Sequence, residues 1–156
     1  MIDPVQAADL PELVELCALH AAYENAPYVA DRQAERLAEA LFHDTPSLFA
    51  WVARQPGVPG LAGYMTAVIE VATWPARPFV YMDCLYLREA ARGHGLGRAL
   101  VTTLSRFAAA QGLAQIQWQT PPDNALGIHF YAAIGATATT KLRFTLSVRA
   151  LTEAMG

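Results

Sequence analysis

The segment Arg92-Gly93-His94-Gly95-Leu96-Gly97-Arg98 restricts the possible folds of this chain more than any other part of the sequence. It follows an apolar stretch with strand character and leads into residues 97–111, whose apolar spacing predicts a helix. Glycines allow the backbone to turn sharply and to approach a ligand closely. Free N–H groups at a helix start, with the positive end of the helix dipole, form a binding site for phosphate. The sequence therefore predicts a strand–loop–helix unit with an anion-binding loop.

Three kinds of glycine loop were compared with this segment. A Walker loop requires Gly-Lys-Ser/Thr, which the segment lacks, and a Rossmann fingerprint requires a glycine where Arg98 stands. The pattern that remains is R-x-x-G-x-G, formed by Arg92, Gly95 and Gly97. Arg92 and Arg98 would add positive charge near a bound phosphate. The alternative interpretation is an exposed turn that binds nothing.

The remaining sequence predicts a single α/β domain over residues 1–156. The first helix begins at Asp9, which is its predicted N-cap. Glu12 stands at the position from which a side chain can reach back to the backbone N–H of the cap. In the second helix, Leu37, Leu41 and Phe42 are expected to face inward. The predicted helices are about 9–25, 31–42, 97–111 and 125–134, and the predicted strands are 47–54, 61–71, 79–87, 114–120 and one or two strands within 137–148. Because residues 47–87 indicate an antiparallel meander, the sheet should have mixed strand directions.

Composition excludes several classes of protein. Hydrophobic residues make up 54% and charged residues 16%, which argues against disorder. No apolar run reaches the ~20 residues that span a bilayer, and the first residues do not resemble a signal peptide, so we expect no membrane association. Cys17 and Cys84 stand in apolar contexts without metal-ligand spacing, and no two histidines have ligand spacing either. We therefore expect no disulfide, no metal and a reducing cytoplasm.

The charge distribution limits the possible partners. A net charge of −3 argues against nucleic-acid binding. Residues 1–87 carry 4 Arg against 11 Asp and Glu, which gives −7, and residues 88–156 carry 7 Arg and Lys against 3 Asp and Glu, which gives +4. This asymmetry suits a cationic substrate beside an anionic cofactor. Chance scatter of solvated charges would give the same balance.

With the strand 83–87 before it, the glycine loop resembles the acetyl-CoA motif of the GNAT superfamily of N-acetyltransferases, and the resemblance covers nearly the whole chain. Within that superfamily the chain is most similar to the diamine (spermidine/spermine) N-acetyltransferases. The residues that carry this similarity are Tyr23-Glu24, Asp83, Asn124, Phe130-Tyr131 and Gly135. The resemblance implies the GNAT fold, a mixed and mostly antiparallel sheet flanked by helices, with acetyl-CoA as co-substrate and a homodimer as the assembly.

The resemblance also implies which residues bind acetyl-CoA. Leu85 and Leu87 are expected to offer backbone groups to the pantetheine arm, which would lie along their strand like an added strand. Asn124 is expected to bind the cofactor from the loop before the last helix. Backbone amides for the pyrophosphate would come from Gly93, His94, Gly95, Leu96, Gly97 and Arg98.

Two side chains are candidates for catalysis. Acyl transfer to an amine requires a group that removes a proton from the ammonium, and Asp83 is a carboxylate in an otherwise apolar strand. The family usually has Glu at this position, so the shorter Asp favours a water relay, and a polar anchor is the alternative role. Tyr131 resembles the family's tyrosine near the coenzyme A sulfur and would protonate the departing thiolate; the alternative is a core tyrosine. Cys84 should alternate to the opposite strand face and serve packing, and an N–H near Leu85 would stabilise the oxyanion.

The acceptor-binding candidates are Glu24, Tyr28, Trp74 and Asp83, although Glu24 could be surface charge and Trp74 a hairpin staple. His20 is expected to be structural. The predicted function is acetyl transfer from acetyl-CoA to a primary amine of a small molecule, such as a polyamine or basic amino acid, in a ternary complex. Two alternatives stay open: a non-catalytic acyl-CoA-binding module and an acetyltransferase for protein or peptide amines.

Overall fold

The computed structural model describes residues 1–155. Its helices are α1 Leu10–Tyr23, α2 Gln33–Phe42, α3 Leu96–Ala110, α4 Ala125–Ala133 and α5 Val148–Met155. Its strands are β1 Ile2–Pro4, β2 Phe49–Ala53, β3 Gly63–Ala72, β4 Arg77–Leu87 and β5 Ile116–Gln117. Short 3-10 turns cover Ala7–Asp9 and Glu89–Ala91.

The chain divides into two compact units, Met1–Pro121 and the part from Pro122 onward. The first unit contains the five-stranded sheet, in the order β1-β2-β3-β4-β5. Neighbouring strands from β1 to β4 are antiparallel, whereas β5 runs parallel to β4. The predicted meander and the mixed α/β sheet are therefore confirmed.

Helices cover both faces of this sheet in the first unit. Ala50 and Val52 of β2 belong to the buried cluster formed with α1 and α2. Because side chains alternate along a strand, Trp51 points to the other face, where its ring lies 5.2 Å from that of Phe107 in α3. Leu100 of α3 is completely buried. The apolar stripe predicted for α3 therefore packs against the sheet as expected.

The start of α1 differs from the sequence prediction. The side chain of Asp9 does not cap α1. Its carboxylate instead accepts a hydrogen bond from the backbone N–H of Gln6 at 3.0 Å and pairs with Arg54 at 2.5 Å. Glu12 accepts the N–H of Leu61 at 2.6 Å rather than reaching back to the cap. Asp9 therefore serves the capping box of the preceding 3-10 turn, and the distant partners Arg54 and Leu61 replace the local bonds that the sequence predicted for α1.

Three further predictions, one about a buried side chain and two about strands, differ from the structure. Phe42 is 45% exposed, whereas Leu41 is buried, because the final residue of α2 turns away from the sheet. The strand predicted over 114–120 is limited to Ile116–Gln117, and residues 137–147 form no strand. The apolar alternation in 142–148 lies exposed, since no neighbouring strand supplies a hydrogen-bonding edge there.

Candidate active site

Asp83 occupies a β-bulge in β4. Thr66 of β3 pairs with Cys84 and Ala67 pairs with Met82, so Asp83 has no partner across the ladder. Such an extra residue re-aims its side chain, and bulges are frequent beside active sites. The bulge explains how this carboxylate is exposed although its neighbour Met82 is buried.

The edge of β4 that follows this bulge lacks a neighbouring strand. β4 pairs with β3 along its whole length, but with β5 only at Val80 and Tyr81. Among residues 1–155, no strand pairs with the second edge of β4 from Met82 to Leu87. An extended ligand therefore has room to add to the sheet at this edge.

The glycine loop connects β4 to α3. Gly93 and Gly95 both have a backbone φ of 78°, which residues other than glycine adopt only with strain. Gly95 directly precedes α3. No side chain caps the first turn of α3. An uncapped helix start of this kind is the local structure that the sequence predicted for an anion-binding loop. No protein atom lies within 4 Å of a Cβ built on Gly93 or Gly95, so the loop borders open space.

Arg92 points away from the first turn of α3 and towards the end of α1. Its Nε donates a hydrogen bond of 3.1 Å to the carbonyl of Leu87. Its guanidinium carbon lies 4.9 Å above the ring of Tyr23 and 5.8 Å from the ring of Tyr86. Arg92 therefore links the glycine loop to α1, and it occupies the Leu87 carbonyl that we expected to face the pantetheine arm. Arg98 and His94 are exposed near the start of α3.

A second group of polar side chains lies at the C-terminal end of α1. Nε2 of His20 is 3.2 Å from Oε1 of Glu24, and Nδ1 of His20 is 2.9 Å from the hydroxyl of Tyr64. Tyr64 is 2% exposed, whereas the Glu24 carboxylate is 34% exposed. Sequence reasoning missed this arrangement. The spacing of His20 and Glu24 by four residues was the only local signal for it.

Two thiols, Cys17 of α1 and Cys84 of β4, pack against the buried cluster that contains Tyr64. Cys84 Sγ lies 3.7 Å from Oδ2 of Asp83. The predicted alternation of Asp83 and Cys84 to opposite faces is therefore wrong, because the bulge interrupts the two-residue period of the strand. Both cysteines are free thiols.

Burial controls the protonation of these groups. Burial raises the pKa of the Cys84 thiol to about 12, and the negative charge of Asp83 contributes to the shift. Burial likewise raises the pKa of Cys17 and of Tyr64. At neutral pH the thiols and the phenol are therefore protonated, which argues against an acyl-cysteine route.

The two other acceptor candidates, Trp74 and Tyr28, lie on different elements from Asp83. Trp74 is fully exposed in the β3–β4 turn, so it is not a hairpin staple. Asp83 follows Arg77, at the end of that turn, by six positions along β4, a distance of roughly 20 Å. The hydroxyl of Tyr28 lies 3.1 Å from the carbonyl of Val14 and also contacts the side chain of Gln33. These bonds hold Tyr28 against the middle of α1.

The second unit contains the two remaining predicted residues. Asn124 caps α4, and its Oδ1 accepts the N–H of Gly127 at 3.1 Å. Tyr131 lies two residues before the end of α4, is half-buried, and its ring is 5.4 Å from that of Phe130. The N-capping bond explains why a helix starts directly after Asn124.

Residues 13–136 match the sequence model of the acetyltransferase (GNAT) family. The chain belongs to this family. The matched residues run from α1 to the end of α4 and include the bulge and the glycine loop. The family uses acetyl-CoA as its co-substrate, so the chain is an N-acetyltransferase by class. The open edge of β4 and the uncapped start of α3 fit an extended co-substrate that carries a pyrophosphate.

The chain is similar to characterised acetyltransferases at low identity. It is 25% identical over 142 residues to the thialysine N-epsilon-acetyltransferase of Bos taurus, which covers 87% of this chain and 83% of that protein. It is 26% identical over 76 residues to the L-ornithine N5-acetyltransferase NATA1 of Arabidopsis thaliana, which covers 49% of this chain and 33% of that protein.

Solved structures share the fold. A probable acetyltransferase superposes with a TM-score of 0.79 at 15% identity, over 95% of this chain and 97% of its own. An aminoglycoside acetyltransferase from an uncultured soil metagenomic sample superposes with a TM-score of 0.76 at 19% identity, over 95% of each chain. The GNAT fold predicted from the glycine loop is confirmed.

Residues 1–155 lack two further kinds of feature. No group of three or more His, Cys, Asp or Glu side chains in that range is arranged to hold a metal ion. No helix in the same range combines the length and apolar composition needed to cross a membrane.

Proposed function

We propose that this enzyme transfers the acetyl group of acetyl-CoA directly to a primary amine of a small molecule, in a ternary complex. One observation carries the proposal: a single strand, β4, contains the exposed carboxylate of the bulge, an open edge and the direct connection to the glycine loop. A thioester bound along that edge, with its pyrophosphate at the loop, would bring its acetyl carbon near Asp83.

The co-substrate would be held mainly by backbone groups. The N–H groups of Leu96, Gly97 and Arg98 start α3 and would bind the pyrophosphate, together with residues 93–95. Leu85 lies on the open edge and would bond the pantetheine arm. Asn124 would also contact the co-substrate.

The chemistry requires proton transfers at the amine and at the leaving sulfur. An ammonium has no lone pair, so one proton must leave before attack, and Asp83 would accept it through a bound water. The exposed position of Asp83 supports access for both water and amine. As the tetrahedral intermediate collapses and its C–S bond breaks, Tyr131 would protonate the coenzyme A thiolate, and the proton that the attacking nitrogen still has to lose would restore the phenol. An N–H near Leu85 would stabilise the oxyanion.

We propose a polyamine or a basic amino acid as the acceptor class. Glu24 and Asp83 are two exposed carboxylates, and each contacts a neighbour of Tyr64: Glu24 bonds to His20, and Asp83 lies 3.7 Å from the thiol of Cys84, which packs against the buried cluster that contains Tyr64. This arrangement suits a substrate with a reacting amine and a second cationic group. The names of two relatives support this class, because thialysine and L-ornithine are both basic amino acids.

We further propose that residues 1–156 form one catalytic domain, which acts as a homodimer in the cytoplasm. The family match crosses both structural units, which supports a single domain. The free thiols Cys17 and Cys84 suit a reducing compartment.

Incubation with acetyl-CoA and a panel of polyamines, amino acids and peptides tests the function, with release of free thiol as the readout. Turnover with a diamine or basic amino acid, and formation of the N-acetyl product, are expected. Turnover with peptides alone would replace the acceptor class with protein amines. Tight coenzyme A binding without thiol release across the panel would indicate a non-catalytic module instead.

A further inference from the structure

Glu24, His20 and Tyr64 form a hydrogen-bonded triad from the protein surface to the core. The side chains of Glu24 and His20 are 34% and 13% exposed, and Tyr64 is 2% exposed. Exposure thus falls steadily along the triad. The distances are 3.2 Å between Glu24 and His20 and 2.9 Å between His20 and Tyr64.

The chemistry of the carboxylate determines the tautomer of His20. An ionised carboxylate only accepts hydrogen bonds, so Nε2 of His20 must carry the proton that bonds Glu24. In a neutral ring Nδ1 is then the acceptor, and the hydroxyl of Tyr64 donates to it. The hydroxyl of the deeply buried Tyr64 therefore matches the tautomer that Glu24 selects, and it holds the orientation of the His20 ring.

Packing holds the imidazole from its other sides. Its ring stacks on that of Tyr86 at 5.2 Å with an interplanar angle of 24°, and it meets the ring of Tyr64 edge-on at 5.9 Å. Arg92 lies beyond Tyr86. Because both ring nitrogens are bonded within the protein, His20 acts through Glu24 and not by contact with a substrate.

We infer that His20 is a positioning residue that orients the Glu24 carboxylate towards the second cationic group of the acceptor. The inference rests on the proposed function. His20 holds Oε1 and leaves the second oxygen of a partly exposed carboxylate to receive an ammonium. This carboxylate follows the last turn of α1, where the negative end of the helix dipole also favours a cation.

Two substitutions test the bond of His20 to Glu24 and its bond to Tyr64 one at a time. Glutamine places an amide nitrogen near the position of Nε2 and keeps the bond to Glu24. Asparagine is shorter, places its polar atoms near Nδ1, and keeps the contact with Tyr64 but cannot reach Glu24. Thermal unfolding of His20→Gln and His20→Asn identifies any general loss of structure.

The measurement is calorimetric binding of 1,4-diaminobutane and of n-butylamine to the coenzyme A complex of the full chain. The wild type is expected to bind the diamine more tightly. His20→Asn should weaken diamine binding about fivefold and leave butylamine binding unchanged, whereas His20→Gln should retain most of the preference. Glu24→Gln should abolish the preference.

Three results would overturn the inference: equal binding of the two amines by the wild type, an unchanged preference in His20→Asn, or equal losses in both His20 variants. The binding assay does not depend on turnover. A diamine preference that follows this pattern, in a protein that acetylates no amine of the panel, would reject the proposed function and keep the inference.

Discussion

Nε of Arg92 donates a hydrogen bond of 3.1 Å to the carbonyl of Leu87. This bond connects the glycine loop to the end of β4. The same guanidinium lies above the rings of Tyr23 and Tyr86. The loop that is expected to bind the co-substrate is therefore joined to the end of α1. Glu24, the carboxylate expected to bind the acceptor amine, lies at that end.

Replacing Arg92 by alanine should lower the free energy of unfolding by about 1–2 kcal/mol, because a charged hydrogen bond and two cation–π contacts are lost. Urea denaturation measures the change. Arg106→Ala, on the exposed side of α3, removes the same charge and should change stability by less than about 0.5 kcal/mol. Equal losses in the two variants would show that the Leu87 contact adds nothing.

Gly95→Ala should weaken acetyl-CoA binding by more than tenfold, because the loop must rearrange or the new methyl group must meet the ligand. Gly57→Ala is the matched control. Both glycines have positive φ, 78° at Gly95 and 75° at Gly57, and neither has a protein atom within 4 Å of an added Cβ. Each substitution should therefore cost about 1 kcal/mol of stability through backbone strain. Only Gly95→Ala should affect affinity, measured by calorimetry, and parallel affinities would reject the proposed position of the pyrophosphate.

Much of the fold was predictable because its signals are local. The glycines of residues 92–98, the apolar stripe of α3 and the turn residues between β2 and β3 specify their own conformations. The bulge at Asp83 was not predictable, since it arises from the register between β3 and β4. The period-two pattern of 142–148 was misleading, because a strand also needs a partner edge.

The candidate site also contains residues that the sequence predicts and residues that only tertiary contacts bring together. Asp83 and the glycine loop stand out in the sequence as a carboxylate in an apolar strand and as a motif. The triad does not, because His20 and Tyr64 are 44 residues apart and meet only when α1 packs on β3. Arg92 was correctly placed in the loop, but the direction of its side chain depends on the aromatic rings of Tyr23 and Tyr86.

The raised pKa of Cys84 makes stability depend on pH in the alkaline range. Burial raises the pKa of the thiol to about 12 in the folded protein, from an ordinary value of 9.0. Between these values the folded state keeps a proton that the unfolded state releases, so stability falls as pH rises above 9. The wild type should lose about 1–2 kcal/mol more than Cys84→Ala between pH 9 and 10.5, measured by urea denaturation. Equal losses would place the thiol in a more polar environment than its burial indicates.

Tyr131→Phe tests the proposed acid. The substitution removes one hydroxyl from α4 and should lower kcat about 100-fold, while acetyl-CoA affinity changes less than about twofold. Tyr81→Phe makes the same chemical change in β4 and should leave kcat nearly unchanged. If Tyr131→Phe retains full turnover, the thiolate obtains its proton elsewhere.

Asp83→Asn tests the proposed base while keeping the size of the side chain. It should lower kcat by about 10²–10⁴ at neutral pH, where the acceptor amine is almost fully protonated. The deficit should shrink as pH approaches about 10, because the neutral amine then forms without help. Steady-state rates with saturating acetyl-CoA measure this, and Glu70→Gln, an exposed carboxylate on β3, is the control. A deficit that stays constant with pH would assign Asp83 to substrate binding, and an unchanged kcat would remove it from the mechanism.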